Sequence, residues 1–555
     1  MEEGLVAGKS FRDKSPGIFG LFFGTGKPNT IEDYLQDYKD EIRILIDEGI
    51  LFRGRNYPVS VEFYLADAPA RAYLKCIVGH TSAHGCERCD QEGDYLRFQT
   101  FPSEIGTLRT DQSFDNRRDP EHHQEVISPL AELETKFISQ FPLDPLHLVD
   151  LGIFKRFLKY VMRRGPLNAR MRRDDLDRFS QLLTLLGDYI PVEFNRKPTL
   201  ARVAKWKATE FGMVFKYLGL VMFSVVFKDE VFRLYLLLHS AVFICSNDDL
   251  ITLHFDNAKQ FATQFVQYSA QLFGPDFIVY NVHSFLHLAD DVQMYGKLSN
   301  FSAYPFEGML GGLKNFILSP AKPLQQLHRR LEEKAKCEAR VKRRRADAHL
   351  SIQHRNGPVI GNLNVRTQYS KLETTFCTLY TSQPNNCVRF SDGKYGLIQN
   401  FLACGDGVNR ILARTFQTTE DLYEYLLFSS ELGIVTLSDL EENLSPYIFS
   451  EILFKCFLMP LEELIPCQNV RNYMFNYSEF KLRKKEAAAS KAYADPDESF
   501  SLKECTVRRT YNSYEEARKM LPLAYETDGL LSEKELGRSK RKRKKKEVFT
   551  LKCLN

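Results

Sequence analysis

The sequence lacks features that would place it among secreted or membrane-spanning proteins. Its first ten residues, MEEGLVAGKS, contain no apolar run, so no secretory signal is predicted. Its two most apolar stretches, Gly212–Phe227 and Val231–Cys245, are shorter than the roughly 20 residues that cross a bilayer. Each stretch is interrupted by a cation, Lys216 or Arg233, and both are therefore predicted to be buried helices.

The sequence also lacks the dense cysteine framework of a small disulfide scaffold. Its 12 cysteines are scattered through 555 residues, and no internal repeat groups them. Because no export signal is predicted, we expect a reducing compartment in which most of these thiols are free.

Composition and charge are those of a folded chain with one strongly basic segment. The chain is 44% hydrophobic and 26% charged, and it holds 42 Phe and 26 Tyr, enough for sizeable cores. Its length predicts two to four domains. The net charge is +4, but residues 538–546 (RSKRKRKKK) hold eight cations, so the rest of the chain sums to 4 − 8 = −4. Basicity is therefore local.

The first hundred residues alternate between strand and helix patterns. Ile18–Gly24 is an apolar run typical of a buried strand, and Thr30 with Asp33 begins a helix predicted to reach about Glu48. Val59–Ala66 alternates and predicts a second strand, after which a helix begins near Pro69. This order predicts an α/β layer.

The later segments change their periodicity. Residues 125–285 predict an all-α block, a further helix follows Pro305, and 324–347 predict a charged helix. Between 372 and 416 the period becomes two, with a hairpin turn at 391–393. Helices are predicted near 419–430 and 445–457, and disorder is predicted from about 478.

Two acidic residues have ordinary explanations when each is taken alone. Asp67 follows the predicted strand, where open α/β sheets place ligand sites but where capping residues are commoner. Glu307 lies in the first turn of the helix opened by Pro305, where a carboxylate favours the helix dipole. The segment that contains Asp144, His147 and Asp150 is interpreted as capping a helix that begins near Leu151.

Two pairs of soft ligands predict a structural zinc ion. Cys86 and Cys89 form a C-x-x-C, and His283 and His287 lie on one helix face. Two thiolates and two imidazoles are a usual tetrahedral zinc set. A redox C-x-x-C and core histidines are the alternatives. The adjacent His122 and His123 are rival ligands, but neighbouring histidines do not easily face one ion.

These features occur in an order that resembles the CACTA (En/Spm) transposases and, more distantly, the Transib transposases and immune recombinases. Asp67 lies 19 residues before Cys86, and His287 lies 20 residues before Glu307. The resemblance covers roughly residues 15–330 and includes the phrases ADAPARAYLK, GCERCD, FPLDPLHLVDLG, WKATEF, HSFLHLADDV and YPFEGMLGGLKNF.

The resemblance implies a ribonuclease-H-like fold and two-metal phosphoryl transfer. Three carboxylates would hold two Mg²⁺ ions, with Asp67 as the second acid and Glu307 as the third. The first acid should stand on a strand before Ile18–Gly24, yet the 17 preceding residues carry no strand pattern and a single aspartate, Asp13. We therefore expect an α/β ribonuclease-H-like core that lacks its first strand and an incomplete magnesium site.

The expected organisation has five regions. They are an N-terminal core segment with the C-x-x-C (15–100), a helical insertion (101–298), a returning core segment with the glutamate and a basic helix (299–347), a small β-rich module (372–470) and a disordered basic tail (478–555).

DNA is the expected partner, while self-association is left open and neither a membrane nor a small-molecule substrate is expected. Two basic segments are predicted to contact phosphates or to direct nuclear import. The DNA contacts are Arg329, Arg330, Lys342, Arg343, Arg344 and Arg345. The nuclear signal is Arg538, Lys540, Arg541, Lys542, Arg543, Lys544, Lys545 and Lys546.

Three hypotheses remain open from the sequence. The first is a non-catalytic, transposase-derived DNA-binding protein in the nucleus. The second is an active strand transferase whose missing acid lies upstream of Met1. The third is a transposon remnant without function.

Overall fold

The computed structural model describes residues 18, 20–24, 30–341, 348–361, 363–374, 377–459, 472–476 and 548–552. Within them the chain is mixed α/β, with a large helical region followed by an antiparallel β-sheet. The α-helices are α1 (Ile31–Glu48), α2 (Ala68–Lys75), α3 (Asp111–Asp115), α4 (Lys155–Lys159), α5 (Arg173–Leu186), α6 (Ala208–Met213), α7 (Gly219–Val226), α8 (Asp229–Cys245), α9 (Asp248–Phe273), α10 (Tyr280–Ser284), α11 (Leu288–Tyr295), α12 (Tyr304–Lys314) and α13 (Pro323–Val341).

The strands of the described residues form one large sheet and three short pairs. They are β1 (Gly20–Gly24), β2 (Ile50–Phe52), β3 (Arg55–Tyr57), β4 (Asp94–Tyr95), β5 (Gln99–Thr100), β6 (Ala348–His354), β7 (Val365–Thr374), β8 (Thr378–Tyr380), β9 (Cys387–Phe390), β10 (Tyr395–Cys404), β11 (Asn409–Asp421), β12 (Ile434–Leu440), β13 (Ser445–Ile448), β14 (Ile452–Met459), β15 (Asn472–Asn476) and β16 (Val548–Lys552).

Helix α1 has the predicted start and end. The Thr30 hydroxyl accepts a hydrogen bond from the Asp33 N–H at 3.2 Å, which satisfies one of the free N–H groups of the first turn. The helix ends at Glu48, and Gly49 follows with a φ of 71°. Its apolar face buries Ile31, Leu35 and Ile42.

The second predicted strand, Val59–Ala66, is wrong. This segment pairs with no other strand among the described residues. Its backbone bonds instead to a loop, since the Tyr64 N–H donates to the Gln140 carbonyl at 2.7 Å and the Tyr64 ring stacks on Phe141. Strand β1 forms within the predicted Ile18–Gly24 run, but it pairs with β16 rather than with this segment. An alternating apolar pattern becomes a β-strand only where a neighbouring strand is available to share backbone hydrogen bonds.

The helical region has an aromatic-rich core. The two most apolar stretches are buried helices as predicted, and they pack beside one another with Phe215, Phe223 and Tyr235 fully buried. In the described residues, one run, Ala208–Val226, is long and apolar enough to cross a membrane, but 78% of it is buried inside the fold. It belongs to the core.

One long helix crosses this region and is called the central helix (residues 146–164). It consists of Leu146–Phe154, α4 and Tyr160–Arg164, with helical backbone angles at both junctions. The first and last segments have the wider π-helical hydrogen bonding that is frequent near functional sites.

The large sheet is antiparallel and has ten strands. Strand β11 pairs with β10 through its first half and with β12 through its second half. Further pairings connect β12 to β15, β15 to β14, β14 to β9 and β9 to β10, so six strands close a ring. The predicted hairpin is confirmed, because β9 pairs with β10 around a turn whose Gly393 has a φ of 90°.

The helices predicted near 419–430 and 445–457 are wrong. The first range contains the end of β11 and a loop, and the second contains β13 and most of β14. Both strands take their backbone hydrogen bonds from neighbours that are distant in sequence. A local helical period cannot reveal such partners.

The sheet and the helical region share one core. Phe457 of β14 stacks on Tyr217 of the helical region with ring centroids 5.7 Å apart. Beside it the buried Lys455 ammonium donates to the Glu193 carboxylate at 2.7 Å, to the Thr378 carbonyl at 2.7 Å and to Asn385 Oδ1 at 2.7 Å. Sheet and helices are therefore joined by both apolar and ionic contacts.

Candidate metal centre

Four soft ligands from two distant segments meet in the interior. Cys86 and Cys89 lie in the loop after α2, while His283 lies near the end of α10 and His287 lies one turn further along. All four are at most 1% exposed. The sequence prediction for this set is matched by a group whose ligand atoms all lie within 4.8 Å of one another.

The distances between these atoms suit a tetrahedral zinc ion. Cys86 Sγ lies 3.6 Å from Cys89 Sγ and 3.8 Å from His287 Nε2, and Cys89 Sγ lies 3.3 Å from His283 Nε2. Zinc bonds of about 2.3 Å to sulfur and about 2.0 Å to nitrogen place tetrahedral ligands about 3.3–3.8 Å apart. The residues present fit such an ion.

The surroundings orient the ligands before any metal binds. His283 donates from Nδ1 to the Pro102 carbonyl at 3.1 Å, which leaves Nε2 facing the cysteines. Its ring also stacks on Phe101 at 5.2 Å. Burial opposes ionisation of Cys86, but hydrogen bonds from the Cys89 thiol and from the Arg88 and Cys89 N–H groups outweigh it and lower the pKa of Cys86. A metal-binding thiolate is thereby favoured.

The residues between the two cysteines are also anchored, which the sequence did not predict. Glu87 is buried, accepts from the Arg71 guanidinium and the Lys75 ammonium at 3.0 Å each, and accepts from the Tyr280 hydroxyl at 2.6 Å. Burial alone would raise the pKa of Glu87, but Arg71 and Lys75 hold it well below its usual range. Arg88 reaches Asp291 at 2.7 Å. The Glu87–Tyr280 and Arg88–Asp291 contacts both join the cysteine loop to the segment that contains the two histidines.

The rival histidines do not join this group. His122 instead faces the His84 carbonyl through Nδ1 at 2.7 Å, and its ring is fully buried. The preference for His283 and His287 therefore agrees with where the structure places all four rings.

The charges of the two candidate magnesium ligands, Asp67 and Glu307, both raise the pKa of one histidine, His147. Asp67 caps α2, accepting from the Ala70 N–H at 2.9 Å, and Glu307 lies in the first turn of α12 with its side chain 49% exposed. His147 Nε2 lies 4.0 Å from Glu307 Oε1. Burial lowers the pKa of His147, but the hydrogen bond to Asp144 and the charges of Asp144, Asp67 and Glu307 raise it overall.

Asp144 caps a helix, as its sequence context indicated, but the helix begins earlier than predicted. Its carboxylate accepts from the Leu146 and His147 N–H groups at the start of the central helix and from the Ala303 N–H, one residue before α12. His147 Nδ1 lies 2.5 Å from Asp144 Oδ2. Asp144 therefore fixes the starts of both helices, so that His147 and Glu307 face one another.

These acids do not form a complete magnesium site within the described residues. Asp67 and Glu307 belong to no group of three His, Cys or acidic residues whose ligand atoms lie within 4.8 Å. Magnesium prefers an octahedral set of oxygens, and two separated carboxylates provide only a fraction of one.

The predicted DNA contacts are only partly visible. Arg329 and Arg330 lie on α13, where both pair with Glu333 at 3.0 and 2.7 Å. Exposed pairs of this kind are weak and leave the guanidiniums available to other anions. Residues 342–345 and 538–546 lie outside the described residues, as does most of the predicted tail, apart from strand β16.

Comparison with known proteins covers only the sheet. A family described as a domain of unknown function (DUF8592) matches residues 353–473, which coincide with most of the ten-stranded sheet. No curated protein matches the chain. The structure thus contains a helical region with a buried Cys2His2 cluster that could hold a metal such as zinc, joined to a β-sheet whose residues 353–473 match that family model.

Proposed function

We propose that this protein is a DNA-binding protein derived from a transposase of the CACTA type, with a zinc ion that stabilises its architecture. The observation that carries the proposal is the joint placement of the two motif sets. Four ligands join segments 194 residues apart, and the two candidate acids that flank them in sequence act on the same His147. The family resemblance implies the four zinc ligands and the two acids, and their placement supports the proposal.

The role of zinc in this proposal is structural. All four positions are protein side chains, which leaves no open coordination site for a substrate. The ion would tie the cysteine loop to α10 and hence hold the whole helical insertion closed. Closing a loop of this length removes much chain entropy from the unfolded state.

The proposal includes an absence of cutting activity. A ribonuclease-H-like core with three acids would activate water or a 3′-hydroxyl through two Mg²⁺ ions, and Asp67 and Glu307 are the two acids that match. Two carboxylates cannot hold both metals in line. The protein would then bind DNA in the nucleus through its basic segments without cutting it.

An active strand transferase is the second candidate, and one observation favours it. Asp144 bonds to the starts of the central helix and α12, which places His147 4.0 Å from Glu307, and the charge of Asp67 also raises the pKa of His147. A first acid supplied from upstream would complete this cluster. The two candidates are separated by the in-frame sequence upstream of Met1, because only the second predicts a strand there that carries an aspartate. A protein that includes this strand should then nick supercoiled DNA in the presence of Mg²⁺.

A test of DNA binding itself uses the zinc-loaded full chain. Fluorescence anisotropy with a labelled duplex should give an affinity that falls linearly with salt on a log–log plot. An affinity no greater than that of serum albumin, an acidic protein, would refute the proposed function.

A further inference from the structure

A strongly basic segment starts in the second half of the central helix and continues beyond its end. Residues 155–173 contain eight cations and no acidic residue, although the chain as a whole is nearly balanced in charge. The cations are Lys155, Arg156, Lys159, Arg163, Arg164, Arg170, Arg172 and Arg173. Five of them, Lys159, Arg163, Arg164, Arg172 and Arg173, are exposed.

These charges are crowded together. Partial burial lowers the pKa of Lys159, and the neighbouring charges of Lys155, Arg164 and Arg156 lower it further. Burial likewise lowers the pKa of Arg156, and Arg164 adds to the effect against the opposing influence of Tyr160 and Asp276. Like charges at such range repel one another, so the native fold maintains them at a cost.

Few acidic residues pair with these cations. Among the described residues, no carboxylate lies within 4.0 Å of Lys155, Lys159, Arg163, Arg164, Arg172 or Arg173 in an ion pair. Asp276 is nearby, but its carboxylate already accepts from the Tyr160 hydroxyl at 3.0 Å. An ordinary solvated helix face usually intersperses both signs of charge. This surface therefore carries an excess of positive charge, which Asp174 and Asp175 at the start of α5 offset only at one end.

An aromatic hairpin borders the same surface. Strands β4 and β5 form a short hairpin whose Phe98 ring is covered by two guanidiniums, with Arg156 Cζ at 5.3 Å and Arg164 Cζ at 5.7 Å from the ring centroid. Tyr95 on this hairpin is 78% exposed, and Arg97 at its tip is exposed. Rings and guanidiniums arranged in this way offer both stacking faces and phosphate ligands.

The hairpin is attached to the segment that contains the candidate metal ligand His283. Phe101, the residue after β5, stacks on His283, and the following Pro102 carbonyl accepts from the same imidazole. Phe101 also donates its N–H to the Ile278 carbonyl at 2.8 Å. The position of Phe98 against the central helix thus depends on the segment that carries the metal ligands.

We propose that this surface, made of residues 155–173 and the tip of the 94–100 hairpin, binds the phosphate backbone of DNA. The proposal rests on the proposed DNA-binding function and adds a contact surface separate from the basic segments after α12 and in the tail. Phosphates would supply the anions that the fold does not, and release of their counterions would drive association. The central helix would then lie along the bound strand, with His147 at one end and the basic cluster at the other.

The test neutralises three cations without changing residue size greatly. Lys159→Gln, Arg163→Gln and Arg164→Gln are combined in one full-chain variant. The matched control combines Lys136→Gln, Arg355→Gln and Lys394→Gln, which removes the same charge from exposed positions elsewhere. Both are loaded with zinc, and zinc content and unfolding temperature verify that each is folded.

Binding of an arbitrary 30-base-pair duplex is measured by fluorescence anisotropy between 50 and 300 mM NaCl. Loss of three phosphate contacts should make the log–log salt slope shallower by about 2–3 and lower the affinity on the order of 10–100-fold at 150 mM. The control should retain the wild-type slope. A charge-conserving variant, Lys159→Arg with Arg163→Lys and Arg164→Lys, should retain it as well.

The outcomes separate this inference from the broader function. Wild-type binding with an unchanged slope in the Gln variant would overturn the surface and leave DNA binding to the other basic segments. Absence of wild-type binding would overturn both proposals. Binding to phosphatidylserine vesicles in preference to DNA, lost in the same variant, would show that the surface is for a membrane instead.

Discussion

Cys89 Sγ lies 3.3 Å from His283 Nε2, although 194 residues separate them in sequence. The pair joins the loop after α2 to α10 and so brings together the two ends of the segment between them. We expect purified protein to contain one zinc per chain and Cys86→Ser to lower this toward zero, because thiolate ligation is lost. The variant should also unfold at a lower temperature. Elemental analysis measures the zinc content, and thermal unfolding measures the change in unfolding temperature.

A neighbouring cysteine provides the control for that experiment. Cys76 is also buried and free, but it lies outside the ligand group. Cys76→Ala should keep one zinc per chain. Equal zinc content in all three proteins, or none in the wild type, would contradict the metal assignment.

The second prediction concerns DNA cleavage. We expect no Mg²⁺-dependent nicking by this chain, because two of the three carboxylates cannot position both metal ions. The absence of one metal-binding acid should raise the activation barrier by several kcal/mol, and each 1.4 kcal/mol lowers the rate about tenfold. Nicking of supercoiled plasmid is the assay. Nicking that disappears in Glu307→Gln would prove the expectation wrong and would make Glu307 a catalytic residue.

The third prediction concerns the joint between sheet and helices. Lys455→Ala leaves the Glu193 carboxylate, 17% exposed, without its cation. Removing one partner of a buried pair typically lowers the free energy of unfolding by about 3–5 kcal/mol. Urea unfolding should show this loss, whereas the exposed Lys394→Ala should change stability by less than about 0.5 kcal/mol. Equal effects for the two variants would mean that Lys455 does not anchor the joint.

The fourth prediction concerns acid stability. Burial lowers the pKa of His239 to about 4, despite a hydrogen bond to the Lys216 carbonyl. The folded state then binds this proton only near pH 4, while the unfolded state binds it near 6.5. Stability contributed by neutral His239 is present above about pH 6.5 and is lost as the pH falls toward about 4, by about 3 kcal/mol in total.

The measurement for His239 is the free energy of unfolding between about pH 4 and 7. His239→Gln should flatten its pH dependence in that window, and the exposed His349→Gln should not. Parallel curves for wild type and His239→Gln would show that this histidine does not control acid unfolding.

The fifth prediction concerns the basic tail. Deleting residues 538–546 removes eight cations. We expect the deletion to make the salt slope of DNA binding shallower and to release a fluorescently tagged protein from the nucleus to the cytoplasm. A deletion of equal length at 484–492, which holds no comparable basic run, is the control. An unchanged slope and an unchanged location would assign the tail neither role.

The sequence predicted local features of this fold better than long-range ones. The Thr30 cap, the two buried apolar helices and the hairpin at Gly393 are each encoded within a few residues. Val59–Ala66 has an equally clear strand pattern, but a strand also requires a partner, and none of the described segments pairs with it. The helix predicted over 445–457 failed for the opposite reason, because distant strands supplied the hydrogen bonds.

The Cys2His2 cluster was predictable because a tetrahedral zinc site restricts both residue type and spacing. Its supports were not, since Glu87, Arg71 and Tyr280 have no distinctive pattern and meet only after folding. The same holds for His147. Its sequence context indicated a helix cap beside it, whereas its position 4.0 Å from Glu307 depends on Asp144, which bonds to the starts of two helices that are distant in sequence.

The stacking of Phe457 on Tyr217 has a consequence for how this molecule can be divided. Cutting the chain between α13 and β6 would uncover the apolar faces of Phe457 and Met459 on one side and of Tyr217 on the other. Neither half would be expected to stay monomeric at the concentrations needed for crystals. Grafting the sheet of residues 348–459 elsewhere would therefore require redesign of that exposed face.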